Sequence, residues 1–170
     1  MSNAIYASLT RQDGLLREMQ VIANNMANSS TTGFKSNHAI FAEHIAATGD
    51  ESGSLSMGSL AGHNFDLSQG AMKHTGGQFD LAIHGEGFFV LDTPAGERLT
   101  RAGAFQLAPG GYQQVEEPAV VQGTLEQSNV SSILEVSRLI EVQRAYEAGQ
   151  SLIEKEDERI NQLIKTMRQL

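Results

Sequence analysis

The chain has 170 residues, a formal net charge of −8, and neither cysteine nor tryptophan. That length suits one domain with a modest core. The acidic balance argues against nucleic acid or an anionic membrane as partner, and the missing cysteine excludes disulfides, thiolate metal sites and cysteine nucleophiles. The N-terminal stretch has no basic segment followed by an apolar one, so export by a cleaved leader is not expected. No apolar run approaches the roughly 20 residues of a membrane span, and no membrane insertion is expected.

Residues 2–28 predict a helix. Leu9, Leu16, Met19, Ala23 and Met26 follow a heptad-like seam with Gln12 as its polar gap, and Ile5, Leu15 and Ile22 widen it. Asn24, Asn25 and Asn28 weaken the end of the helix, because asparagine side chains compete for backbone partners. Gly33 then stops it by accepting a positive φ. Ala39, Ile40, Phe41 and Ile45 suggest a short extension or a further helical turn. The Gly- and Ser-rich residues 46–78 read as an extended connector with room for one short strand, anchored by Leu55, Met57, Leu60, Phe65 and Leu67.

From residue 79 the pattern becomes β. Phe79, Leu81 and Ile83 alternate with Asp80, Ala82 and His84, the period of a half-buried strand. Gly85-Glu-Gly87 gives a bend before the apolar strand Phe88-Phe-Val-Leu91. Thr93-Pro-Ala-Gly96 is a turn, and Arg98-Leu-Thr-Arg101 returns as the partner strand. Residues 104–107 and 118–125 are candidates for two more strands.

Residues 132–170 carry the longest signal. Leu139, Val142, Tyr146, Ile153, Ile160, Leu163, Met167 and Leu170 fall at steps of three and four, a coiled-coil seam broken only at Gly149 and Glu156. Ser132-Ile-Leu-Glu135 has the form of a capping box. At about 1.5 Å per residue the helix would run roughly 55 Å. One seam does not offset the ordering of so long a backbone. Burial on a further side, by other subunits, is therefore expected, with Ile133, Val136 and Ile140 starting a second face. The helix is expected to be weakly ordered in a monomer and to form in an assembly. The expected fold class is α+β: long terminal helices in a coiled-coil-like helical domain (residues 1–45 and 125–170), with a small antiparallel β unit (residues 79–124) inserted between them.

Few residues suggest chemistry. Gly85-Glu-Gly87 lacks the third glycine and the following helix of a dinucleotide site. The five histidines (His38, His44, His63, His74, His84) show no metal spacing, and nothing places Asp66 beside Asp80 as an acid–base pair. No catalytic, cofactor-binding or metal-binding residue is assigned, and no cofactor is expected. An enzyme or ligand-binding module would need a polar-lined pocket around residues 79–107. Glu156 on the seam either fixes register against a basic partner or marks where the seam leaves its partner, and Gly149 allows close approach or bending.

Several stretches together resemble one family. Ile22-Ala-Asn-Asn-Met-Ala-Asn28 with Thr32-Gly-Phe-Lys35 resembles the N-terminal signature of the flagellar rod and hook proteins. Asp80-Leu-Ala-Ile-His-Gly-Glu-Gly-Phe-Phe89 and Thr100-Arg-Ala-Gly-Ala-Phe105 resemble its central motifs. Gln122-Gly-Thr-Leu-Glu-Gln-Ser-Asn-Val130 and Ile140-Glu-Val-Gln-Arg-Ala-Tyr146 resemble its C-terminal signature. The matching positions are Asn24, Asn25, Asn28, Gly33, Phe34, Gly85, Gly87, Phe88, Phe89, Ser128, Asn129, Gln143, Arg144 and Tyr146. Within the family, Asn3-Ala-Ile-Tyr6, Leu9-Thr-Arg-Gln12 and the charged residues 154–159 look most like a proximal rod protein, with the distal rod protein and hook-type subunits as alternatives.

The resemblance implies a structural, non-enzymatic axial subunit of the basal-body rod that spans the periplasm. It would stack helically, transmit torque, enclose the export channel and leave by the flagellar type III apparatus without signal cleavage. Its partners would be copies of itself and other rod proteins. The implied contact residues are Leu9, Leu16, Met19, Ile22, Ala23, Met26, Leu139, Val142, Tyr146, Ile153, Ile160, Leu163, Met167 and Leu170, with Leu16, Met19, Ile22, Ala23 and Met26 meeting Leu139, Val142, Tyr146 and Ile153. Relatives continue with several dozen more β residues after the Thr100–Phe105 motif. Here Ala108-Pro-Gly-Gly-Tyr112 passes almost directly to the C-terminal signature, so the central domain is either naturally short or has lost a segment.

Overall fold

The structure is a computed structural model that describes residues 2–47, 54–105 and 119–168. Among the described residues two long helices, α1 (Ser2–Ala27) and α2 (Ser132–Met167), come before and after eight short-to-medium strands in the chain, giving the expected α+β class. The strands are β1 (Asn37–Ala47), β2 (Ser54–Phe65), β3 (Met72–His74), β4 (Leu81–His84), β5 (Phe89–Thr93), β6 (Gly96–Thr100), β7 (Ala119–Gln122) and β8 (Thr124–Glu126). They pair as β1–β2, β3–β8, β4–β7 and β5–β6. The chain forms two compact units, one of Met1–Ala23, His38–Asn64 and Val136–Leu170, the other of Asn24–Asn37 and Phe65–Glu135.

Among the described residues of the first unit the buried apolar side chains are Val21, Ile22 and Val142. The two helices run antiparallel: Gln12 of α1 packs over Gly149 of α2, and Glu18 pairs with Arg138 at 3.7 Å. Gly14 of α1 leaves room for the Phe41 ring of β1, whose Cε1 would lie 3.2 Å from an added Cβ. Arg138 also donates to His38 Nδ1 at 3.0 Å, fastening the strand that follows α1 to α2.

The second unit is built around residues 119–130. β7 pairs with β4 (Leu81↔Gln122 to His84↔Ala119), and β8 pairs with β3 (Met72↔Glu126 to His74↔Thr124). The run changes partner at Gly123, whose φ of 71° favours glycine. The Gly123 N–H donates to Asp80 O at 2.8 Å, and its carbonyl accepts from Thr75 and Gly76. Ala82 and Ile83 form the apolar centre. β5 and β6 make a separate hairpin (Phe89↔Thr100 to Thr93↔Gly96), as the Thr93–Gly96 turn predicts.

Several elements differ from expectation. Residues 37–47 are strand, where Ala39, Ile40, Phe41 and Ile45 suggested more helix. Residues 54–65, read as part of a connector, form the partner strand β2, and residues 72–74 form β3. Backbone pairing compensates there for glycine and serine side chains that give little pattern. Within the candidate strand at 104–107, Ala104 makes only an isolated bridge to Asp80, and residues 106–107 lie outside the described residues. Leu81 is half-buried while Ala82 and Ile83 are both buried, so β4 does not alternate cleanly. At the start of α2, the Glu135 N–H bonds to Ser131 O at 3.0 Å as an ordinary helical bond, and the Glu135 carboxylate accepts from Asn25 instead of closing a box on Ser132.

Candidate functional site

Along α2 the helical stripe is close to its reading from sequence. Glu135 and Val142 are buried, and Leu139, Tyr146, Gly149, Ile153, Glu156 and Ile160 follow at steps of three and four, all partly covered. Gln12, the polar gap of the α1 seam, meets one of the two breaks in the α2 seam by filling the space left by Gly149. Glu156 pairs with Arg159 of its own helix, which holds its carboxyl below the ordinary value.

The stripe then runs out of cover. Stepping back along α1 from Gln12 to its start at Ser2, and forward along α2 from Gly149 by as many residues, reaches Arg159. Beyond that point Leu163, Ile164 and Met167 are exposed, Met167 at 75%. Leu170 lies outside the described residues.

The seam read in α1 divides. Ile22 is buried, Met19 and Met26 are half-buried, and Leu9 (58%), Leu16 (42%) and Ala23 are exposed. The positions α1 buries are Gln12, Gly14, Val21, Ile22 and Asn25, a face that includes two polar side chains. Leu9, Leu16 and Ala23 recur every seven residues on the uncovered side. In α2, Ile133 (81%), Val136 and Ile140 make a second exposed apolar row at steps of three and four.

Unit two contains a cluster of charge that sequence inspection missed. Glu126 is fully buried, with Lys35 Nζ at 2.6 Å and Arg101 at 2.9 Å, and both cations are almost wholly buried. The Gly70 N–H also donates to its carboxylate at 2.9 Å. Lys35 donates further to Ser68 O, and Arg101 to Ile83 O and Gly85 O. The Arg101 guanidinium lies 5.4 Å from the Phe88 ring centroid, a cation–π distance. Burial alone would raise the Glu126 carboxyl, but the Lys35 hydrogen bond, the Gly70 N–H and the charges of Lys35 and Arg101 outweigh it and hold the group below its ordinary value.

The residues singled out in the motifs serve this centre and its borders. Gly33, with φ 69°, donates to Glu126 O at 2.8 Å, and a Cβ there would collide with the Arg101–Ala102 backbone. Phe34 O accepts from Asn129 N, while Asn129 Oδ1 accepts from Ser36 N at 2.7 Å and its amide donates to Asp66 O and Ser68 O. Asn25 is buried; its amide donates to Asn37 O and accepts from Asn37 N, imitating a strand partner at the start of β1. Asn28 bonds back to Asn24 O, ending α1. Gly85 and Gly87 take positive φ at the bend before Phe88, and Phe89 stacks edge-on to Phe105 with centroids 5.2 Å apart. Ser128 Oγ accepts from Val130 N.

Other sequence candidates stay apart from the centre. Gln143 and Arg144 are exposed on α2, and Tyr146 OH accepts from Gln150 within the same helix. Asp66 accepts from Ser68 N and Asp80 from Thr75 Oγ1, each within its own turn rather than as a pair. Among the described residues no three His, Asp or Glu side chains group as metal ligands, and no helix is long and apolar enough to cross a membrane.

Comparison with known proteins agrees with this geometry. Residues 5–35 match the family described as flagella basal body rod protein, and residues 121–166 match the flagellar basal body rod FlgEFG protein C-terminal family. The flagellar basal-body rod protein FlgF of Caulobacter vibrioides is 30% identical, with 87% of this chain and 91% of that protein covered. FlgF of Mesorhizobium japonicum is 26% identical with 98% of each covered. FlgG of Buchnera aphidicola subsp. Baizongia pistaciae is 33% identical, covering 81% of this chain and 59% of the relative. The alignments to the two FlgF proteins run over 222 and 239 positions, so those relatives carry residues that this 170-residue chain does not. These relatives are structural rod proteins rather than enzymes. The chain therefore belongs to the flagellar basal-body rod protein family and is a structural subunit of the rod, with a FlgF-like extent of similarity.

Proposed function

We propose that this subunit joins the rod through its two terminal helices, packing against copies of itself and other rod proteins in a helical tube that transmits torque and encloses the export channel. The observation that carries the reading is the uncovered stripe of α2: Leu163 and Met167, with Ile164 beside them, continue a seam whose earlier positions are buried or partly covered. The exposed Leu9, Leu16 and Ala23 of α1 and Ile133, Val136 and Ile140 of α2 offer further apolar rows for neighbours. Export through the flagellar type III apparatus without signal cleavage, and a place in the periplasm-spanning proximal rod, belong to the same reading. The extra positions in the FlgF alignments fit a chain shorter than those relatives, and the motif order would place the shortening in the β region after Phe105. The discontinuous helical part would then carry assembly.

Deleting residues 160–170 tests this. Loss of incorporation into basal bodies and of motility is expected, and retained assembly would contradict it. A distal-rod position is the second reading, supported by the FlgG similarity. Locating the protein along purified basal bodies separates the two.

A further inference from the structure

We infer that residues 119–130 are a closing segment: the rest of the second unit stays open until this segment docks, and Glu126 is the charge that latches it. Among the described residues β3 and β4 each have one partner strand, β8 and β7, and both partners lie in this segment, while the other edge at Asp80 and Leu81 meets Gly103 and Ala104 without a strand. The amides of Gly33, Thr75 and Gly76 donate to its carbonyls, and those of Ser36 and Gly70 to its Asn129 and Glu126 side chains. In return its Gly123 and Gln127 amides donate to Asp80 O and Ala71 O. Without the segment these groups lose their partners together.

Charge makes closure conditional. Lys35 and Arg101 are almost entirely buried, and Glu126 is the carboxylate with which both pair among the described residues. Before Glu126 arrives, closing the unit would bring two cations out of water with no counterion, a strongly unfavourable step. After it arrives, its two oxygens take one cation each, and Gly70 N–H completes the set. The partners lie 91 and 25 residues from Glu126 in the chain, so their loops are long and close late. A polypeptide ending before residue 119 could not close this unit, so closure reports that the chain has been made past residue 130. The β5–β6 hairpin pairs within itself and is free to form earlier.

The test is pulse-labelled hydrogen exchange of the full chain refolding from urea, followed by native-state exchange. Protection at Gly33, Ser36, Gly70, Thr75 and Gly76 is expected in the same kinetic phase as at Gly123 and Gln127. Glu126→Gln should lower protection at these amides by about tenfold or more, and a K35M/R101M/E126M chain, with no charge left to pair, should recover it at Gly33, Ser36, Thr75 and Gly76, whereas Gly70 loses its acceptor with the carboxylate. Protection at Gly33, Gly70 and Thr75 in a phase before Gly123 and Gln127 would overturn the closing role. This order is read in the unsubstituted chain and holds even if a variant fails to fold. An E126Q chain within about threefold of wild type, or a triple variant as unprotected as E126Q, would overturn the charge latch.

Discussion

The two units bury different chemistry. Among the described residues the first hides Val21, Ile22 and Val142 with one polar side chain, Gln12, and leaves apolar rows of both helices open, whereas the second hides Lys35, Arg101, Glu126, Glu135, Asn25, Ser36 and Thr124 around Ala82 and Ile83. Apolar seams are non-directional and take any matching ridge, so a helix pair that leaves them open can add neighbours. Buried charges are directional and costly when unpaired, so a unit built on them has one closed arrangement. On the proposed function the contrast would give the two different tasks: the helical unit would offer surface for assembly, and the β-rich unit would hold a defined shape.

The sharpest way to break this contrast is to remove the anion. Glu126→Ala leaves two buried cations unpaired and should destabilise the second unit by about 3–5 kcal/mol, read as lost amide protection at residues 70–76 and 81–84. An unchanged exchange pattern would mean the cluster is not what holds the unit. Ile22→Ala should cost the first unit about 2–5 kcal/mol in urea unfolding, because Ile22 is 2% exposed and its cavity would remain.

Acid should separate the units without substitution. The Glu126 carboxyl is held below its ordinary value when folded, so its contribution is fully present above the unfolded value of about 4.3 and is lost as pH falls through the lower folded one. Amide NMR signals of residues 70–76 should therefore weaken below that range, before those of the α1–α2 pair. The smallest expected change in monomer stability comes from Leu16→Gln, within about 0.5 kcal/mol because the side chain is 42% exposed, yet it should weaken incorporation into basal bodies. Helicity of the wild-type chain, followed by circular dichroism, should rise with concentration as α2 finds neighbours, and constant full helicity on dilution would count against that.

The helical part was readable where the buried positions are apolar. The α2 series from Leu139 to Ile160 is the covered stripe, since its spacing alone places those residues on one side. In α1 the same logic chose Leu9, Leu16 and Ala23, because a count of apolar residues passes over Gln12, Gly14 and Asn25, which are buried beside Val21 and Ile22. Asn25 is buried because its amide satisfies the Asn37 backbone, a demand that no periodicity announces. β1 was hidden for a related reason: its partner β2 is rich in glycine and serine, and Ala39, Ile40 and Phe41 fit either period. The Lys35–Glu126–Arg101 centre could be suspected only from isolated charges inside otherwise apolar and glycine-rich motifs. Their meeting depends on long loops, which local patterns do not encode.

Because the chain has no cysteine, one introduced at Met167 is unique and reports a single surface. Met167→Cys, installed in otherwise functional basal bodies and treated with a short bismaleimide after a cysteine is placed on a candidate neighbour, should give a cross-linked pair of rod subunits. Normal incorporation with no cross-link to any rod subunit, including a second copy, would contradict assembly through the open end of α2.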